Sequence, residues 1–201
     1  MTDMRRLLLL CSLWLALAPA AFAATALDYT RNILEKARAI VNTDQDHNKK
    51  LADLQALLKD FLDTDQMGRD ALADHAKQFS PAQMTEFLGL FRTLFQRTYL
   101  QKLLFFEKPV FDYVGETPAD GFTRVDTTID TPRDQFSVTY RMRPAGDHWL
   151  ATDIQVEDLS LTNNFRQQLD RLLSKGSAET LLDSMRRKYG KGAAEPKDDE
   201  P

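Results

Sequence analysis

The sequence predicts an α+β fold, with helices packed on a curved antiparallel sheet of about four strands. Two observations carry this. Apolar residues recur at helical spacing over 27–106, at every second residue over 109–158, and at helical spacing again over 161–190. Short turn sequences separate the period-two segments, so consecutive strands should pair as an antiparallel meander. Helices, then a block of strands, then helices is a segregated order, unlike the alternation that builds a parallel sheet.

Taken from the N-terminus, Arg5 and Arg6 precede the apolar run Leu7–Ala18, followed by Pro19 and the small-residue stretch AFA-A. This is the pattern of a secretory signal peptide over residues 1–23, with cleavage between Ala23 and Ala24. The run is too short to span a bilayer, and no other stretch comes near that length, so an exported soluble protein is expected. Cys11 is the sole cysteine and should leave with the leader. Leu10 stands before it, where a lipidation signal wants a small residue. The remaining chain must then be held by packing without disulfides. Loss of Arg5, Arg6 and Asp3 moves the formal charge from -4 to -5. Without a basic excess to release counterions, nucleic acid is not expected as a partner.

Residues 24–190 have the length of one ordinary domain. Helices are expected over 27–41, with apolar residues at 33, 37, 40 and 41, and over 48–62, with Leu51, Leu54, Leu58 and Phe61 in register. A third covers 67–76. Ser80 and Pro81 are a cap and first-turn pair that opens a long helix, which ends before Pro109. Strands follow over 109–116, 121–130, 134–143 and 148–158, and helices over 161–174 and 177–190. The charged tail 191–201, KGAAEPKDDEP, has nothing to bury and is expected to be disordered.

Chemistry is scarce along this chain. His47, His75 and His148 lie in separate segments with no paired metal spacing, and no metal site is expected. Neither GxSxG, HExxH nor a glycine-rich phosphate loop is present. DQDHN (44–48) opens like a calcium loop, but Lys49 stands at the glycine position and Gln55 at that of the bidentate glutamate. Acids capping the following helix explain it better. Asp153 with Glu157, and Asp126 with Asp130, read as solvated strand faces, and Arg166 with Asp170 as a surface pair one helical turn apart. Asp153 with nearby His148 is all that a hydrolase could use. No catalytic residue and no enzyme is expected.

The long helix is the informative element. Phe87, Phe91, Phe95 and Tyr99 recur at four-residue steps, each about 40° further round the helix than the last. Leu88, Leu90, Leu94 and Leu103 widen this stripe beyond the roughly 100° that a surface helix buries. Either the helix is core on two sides, or part of it lines a cavity between helices and sheet for an apolar ligand. Both readings stay open on residue types alone.

The stretch HWLATDIQVEDLSLTNNFRQQLDRLL (148–173) carries a resemblance. Trp149, Asp153-Ile154, Val156-Glu157, Leu159-Ser160-Leu161 and Phe165-Arg166 follow the pattern of the MlaC, or toluene-tolerance, family of periplasmic phospholipid-binding proteins. The long helix and the strand ending FSVTYRM are similar in kind and order, so the resemblance covers about 27–189. Asp158 departs from it, since the family usually has glycine there. The resemblance implies a periplasmic shuttle, with phospholipid as cargo and no other cofactor. Its implied partners are an outer-membrane lipoprotein complex and an inner-membrane complex of MCE-domain protein, permease and ATPase, and a monomer is expected. Expected lipid contacts are Phe87, Phe91, Leu94, Phe95 and Tyr99 on the helix, Val125, Val138, Tyr140, Ile154 and Val156 on the sheet, and Phe165 and Leu169 after it. The strand choices follow alternation, which a bulge would reverse. The alternatives are a carrier for another apolar lipid, as in the hopanoid-associated branch of the family, or a protein-interaction or chaperone module with an apolar groove.

Overall fold

The structure, a computed structural model, describes residues 24–105 and 108–190. The expected leader and tail lie outside the described residues. The helices that precede the sheet are α1 (Ala26–Val41), α2 (His47–Lys59), α3 (Thr64–Leu72), α4 (Pro81–Phe95) and the short α5 (Gln101–Leu103). The strands are β1 (Val110–Ala119), β2 (Phe122–Asp130), β3 (Gln135–Ala145), β4 (His148–Val156) and β5 (Leu159–Ser160), followed by α6 (Leu161–Leu173) and α7 (Ala178–Tyr189).

Local chemistry explains most boundaries. Thr25, Asp46, Asp63, Ser80, Ser160 and Ser177 each cap a helix by accepting a backbone N–H from its first turn. Asp46 is the acid that the DQDHN stretch supplies to α2. Ser80 and Gln83 form a reciprocal capping box, with Pro81 in the first turn. The third helix begins earlier than its apolar pattern implies because Asp63 accepts from the Gln66 amide. It also breaks earlier, at Ala73, whose φ of 48° is left-handed, and a 3-10 segment (Ala73–Gln78) follows. Arg166 donates twice to the Asp70 carbonyl in the last turn of α3 and so satisfies an orphan acceptor there. Asp170 pairs instead with His75 (2.8 Å), so the expected Arg166–Asp170 pair does not form.

The sheet is an open antiparallel meander in the order β1-β2-β3-β4-β5. The fifth strand falls where the sequence reads as a turn. Glu157 and Asp158 both have positive φ, 49° and 67°, and make a two-residue turn that folds β5 back on β4. Asp tolerates this region, which is why the turn forms without the glycine usual at position 158. A bulge shifts the register of β1 between Tyr113 and Gly115, and another shifts β3 against β4 between Arg141 and Met142. The second places Ala151 and Thr152 consecutively in the buried face. Beyond it, Ile154 and Val156 stand opposite Tyr140 and Val138, on the same face.

Helices and sheet are tied by backbone bonds as well as by packing. The linker between α2 and α3 runs along β4: the Asp63 amide donates to the Ala151 carbonyl, and the Ala151 amide to that of Phe61. At the β1 edge of the sheet, Glu116 accepts from the Leu27 amide in the first turn of α1, and the Tyr113 hydroxyl donates to Glu35 (2.9 Å). The Trp149 indole donates to the Ala24 carbonyl (2.9 Å).

Candidate functional site

The apolar core divides into a solid part and a hollow part. The solid part lies where α4 packs on α3 and its rings meet Phe165 of α6. Phe87 and Phe91 are fully buried there, in a chain of rings that runs from Phe79 through both to Phe165, with 4.9 Å between the centroids of Phe91 and Phe165. Gly68 permits this packing: a Cβ there would stand 2.9 Å from Leu88 and 3.1 Å from Phe91. Leu169 is buried on α6, Val125 is wholly buried on β2, and Leu94 packs half-buried against the same core. None of Phe87, Phe91, Leu94, Val125, Phe165 and Leu169 lines the hollow part.

The hollow part is a cavity of about 700 Å³ between the sheet and the other helices. Its floor is Phe111, Ile129, Phe136, Val138, Tyr140, Ile154 and Val156, one or more from each of the four long strands. Its roof comes from Leu34, Ala37 and Val41 of α1, Leu54 and Leu58 of α2, and Phe95, Tyr99 and Leu100 at the end of the long helix. Of the expected contacts, Phe95, Tyr99, Val138, Tyr140, Ile154 and Val156 lie on this wall. The aromatic stripe is therefore shared, its first half in solid core and its second half facing empty space. Phe95 joins the two, 6.3 Å from Phe165 on one side and 5.3 Å from Tyr99 on the other.

A change in the helix accompanies that division. Gln96–Leu100 is a π-turn, wider than the α-helix on either side. Tyr99 and Leu100 both fall within it and on the cavity wall.

Polar side chains also line the cavity. Arg38, Lys102, Glu157, Asp158, Ser160, Asn163, Asn164 and Gln167 line the cavity, and of these Lys102, Glu157, Asp158, Asn163, Asn164 and Gln167 are exposed. The exposed ones stand where the cavity meets solvent, and the rest of its wall is largely apolar. Burial pushes the pKa of the deep Tyr140 phenol up, against a smaller opposing effect of Thr127. The Tyr113 phenol is raised likewise, first by burial and then by its bond to Glu35.

No acid–base couple forms from the residues that a hydrolase would need. The Asp153 carboxylate accepts from the Ser160 hydroxyl and the Thr162 amide, which fixes the start of α6, while His148 lies beside Asp147 (3.2 Å). No cluster of three or more metal-ligating side chains occurs among the described residues. No helix among them is long and apolar enough to cross a membrane.

The roof residues of α1 and α2, and Phe111 on β1, were not singled out from sequence. They are apolar at ordinary helix or strand spacing, and that signal is the same for a residue facing a void and one facing another side chain.

The family profile described as MlaC protein matches residues 28–187. This chain belongs to the MlaC family. The match runs from the first turn of α1 to the last turn of α7, and so takes in both walls of the cavity. Among solved structures, a phospholipid-binding protein from Ralstonia solanacearum, determined in complex with a phospholipid, is similar in fold. It aligns with a TM-score of 0.74 and 20% identity, over 85% of this chain and 100% of that one. No curated protein matches the chain significantly.

Proposed function

We propose that this MlaC-family protein is a phospholipid carrier, not an enzyme, and that the cavity holds the acyl chains. One observation supports the reading above the rest: an apolar hollow of about 700 Å³, open at a polar mouth, in a chain of this family. Its volume is in the range of small-molecule sites. Each methylene taken out of water contributes roughly 0.8 kcal/mol, so tails are held by burial alone and need no specific polar partner inside. The head group then stays at the mouth, in water. The phospholipid bound by the Ralstonia solanacearum protein of similar fold supports the same assignment.

The carrier works in the periplasm, as the leader-like residues 1–23 suggest, and passes lipid between an outer-membrane lipoprotein complex and an inner-membrane MCE-type transporter. Protein purified without detergent should carry a stoichiometric diacyl lipid in native mass spectrometry. Val138→Asp, which sets a charge on the cavity floor, should remove that lipid while the circular dichroism spectrum is kept. Bare wild-type protein in every preparation would overturn the carrier reading. Transfer between the two complexes is tested with labelled lipid and reconstituted partners, and no acceleration by the protein would reject the shuttle.

A further inference from the structure

Four charged side chains line the cavity, two of each sign. Arg38 of α1 and Lys102 of α5 are the cations, and Glu157 and Asp158 on the β4–β5 turn are the anions. Arg38 is paired with Glu35 along its helix. The Lys102 ammonium lies 5.9 Å from the centre of the Tyr99 ring and has no carboxylate partner among the described residues. The Glu157 carboxylate is taken by the amide and hydroxyl of Ser137. The Asp158 carboxylate is exposed and without a partner among the described residues.

The turn itself makes Asp158 notable. Two successive residues with positive φ suit Asn-Gly or Asp-Gly, and here the pair is Glu-Asp. Two adjacent carboxylates in left-handed backbone are a costly choice on both steric and electrostatic grounds. Lys102 and Asp158 both line the cavity, both are exposed, and neither has an ion-pair partner among the described residues, which matches a ligand that carries both signs.

We propose that the mouth selects a zwitterionic, amine-bearing phospholipid over an anionic one, with the phosphodiester toward Lys102 and Arg38 and the ammonium toward Asp158. This rests on the carrier reading and adds the class of head group to it. A net-anionic glycerol head group would satisfy the cations but leave the acids of the turn facing a ligand with no positive charge.

The test is competition. Lipid-free protein is incubated with an equimolar mixture of phosphatidylethanolamine and phosphatidylglycerol of identical acyl chains, and the bound species are counted by native mass spectrometry. An exposed charge contact corresponds to a preference of roughly two- to fivefold for the amine lipid. Asp158→Asn, which keeps a side chain suited to positive φ, should bring the ratio to about one. Lys102→Gln should instead lower occupancy by both lipids by a similar factor, since both carry the phosphodiester. A wild-type ratio of one or less, or a ratio that Asp158→Asn leaves unchanged, overturns the selection. Equal occupancy in Lys102→Gln overturns the phosphate assignment, and protein that takes up neither lipid overturns the carrier reading with it.

Discussion

Phe91 and Val138 show how two buried apolar residues differ in consequence. Phe91 has rings on both sides and Gly68 close against it, whereas Val138 has space on its inner face. Truncating a ring in solid core removes its burial and leaves a void, so Phe91→Ala should destabilise by about 3–5 kcal/mol in chemical denaturation. The fraction that stays folded should still carry lipid. Lipid lost without loss of stability would mean that Phe91 faces the ligand after all. In sequence the two residues are equivalent, because spacing reports the face of an element and not what lies opposite. Gly68 was equally silent, since a helical glycine shows its purpose only once the second helix is in place.

At the scale of elements, α7 is clamped to α4 by one guanidinium. Arg186 bonds Glu86 across the helix pair, and Glu179 and Asp183 within α7. Its hydrogen bonds hold the carboxyls of both Glu86 and Glu179 below their ordinary value of 4.5. A carboxylate lowered in the folded state adds stability above its unfolded pKa, and that stability is lost as pH falls through the folded value. Arg186→Gln should therefore melt below wild type at neutral pH, with the two melting temperatures converging in acid. A gap that persists in acid would show that Arg186 acts through packing. The groups are solvent-exposed, so the effect is small and shrinks with added salt. Helix and strand identities were legible from periodicity, and the opening of α4 from Ser80-Pro81. The break at Ala73 and the fifth strand were not, because both need a left-handed backbone that tertiary contacts maintain at residues other than glycine.

For the whole molecule, a cavity lined by apolar side chains lowers stability unless a ligand that binds the folded state occupies it. A ligand that binds only the folded state stabilises it by an amount that grows with the logarithm of its concentration, about 2.7 kcal/mol at a hundredfold excess over Kd. Organic extraction and refolding should lower the melting temperature in calorimetry, and adding back diacyl lipid should restore it. A melting temperature that ignores lipid would oppose an acyl chain in the cavity. Long-range ties, such as those of Asp63 and Phe61 to Ala151, join the α2–α3 linker to β4 beside that cavity, which Phe61 and Leu62 line.

By itself the sequence determined the α+β order, the caps that start the helices, the apolar excess of the long helix and the scarcity of reactive groups. Tertiary structure alone decided which half of the aromatic stripe is core and which faces the hollow. Burial of an apolar side chain is encoded locally by spacing, but a void is the distance between two surfaces. That distance depends on bulges, a π-turn and backbone bonds between segments far apart in the chain, which no local pattern records.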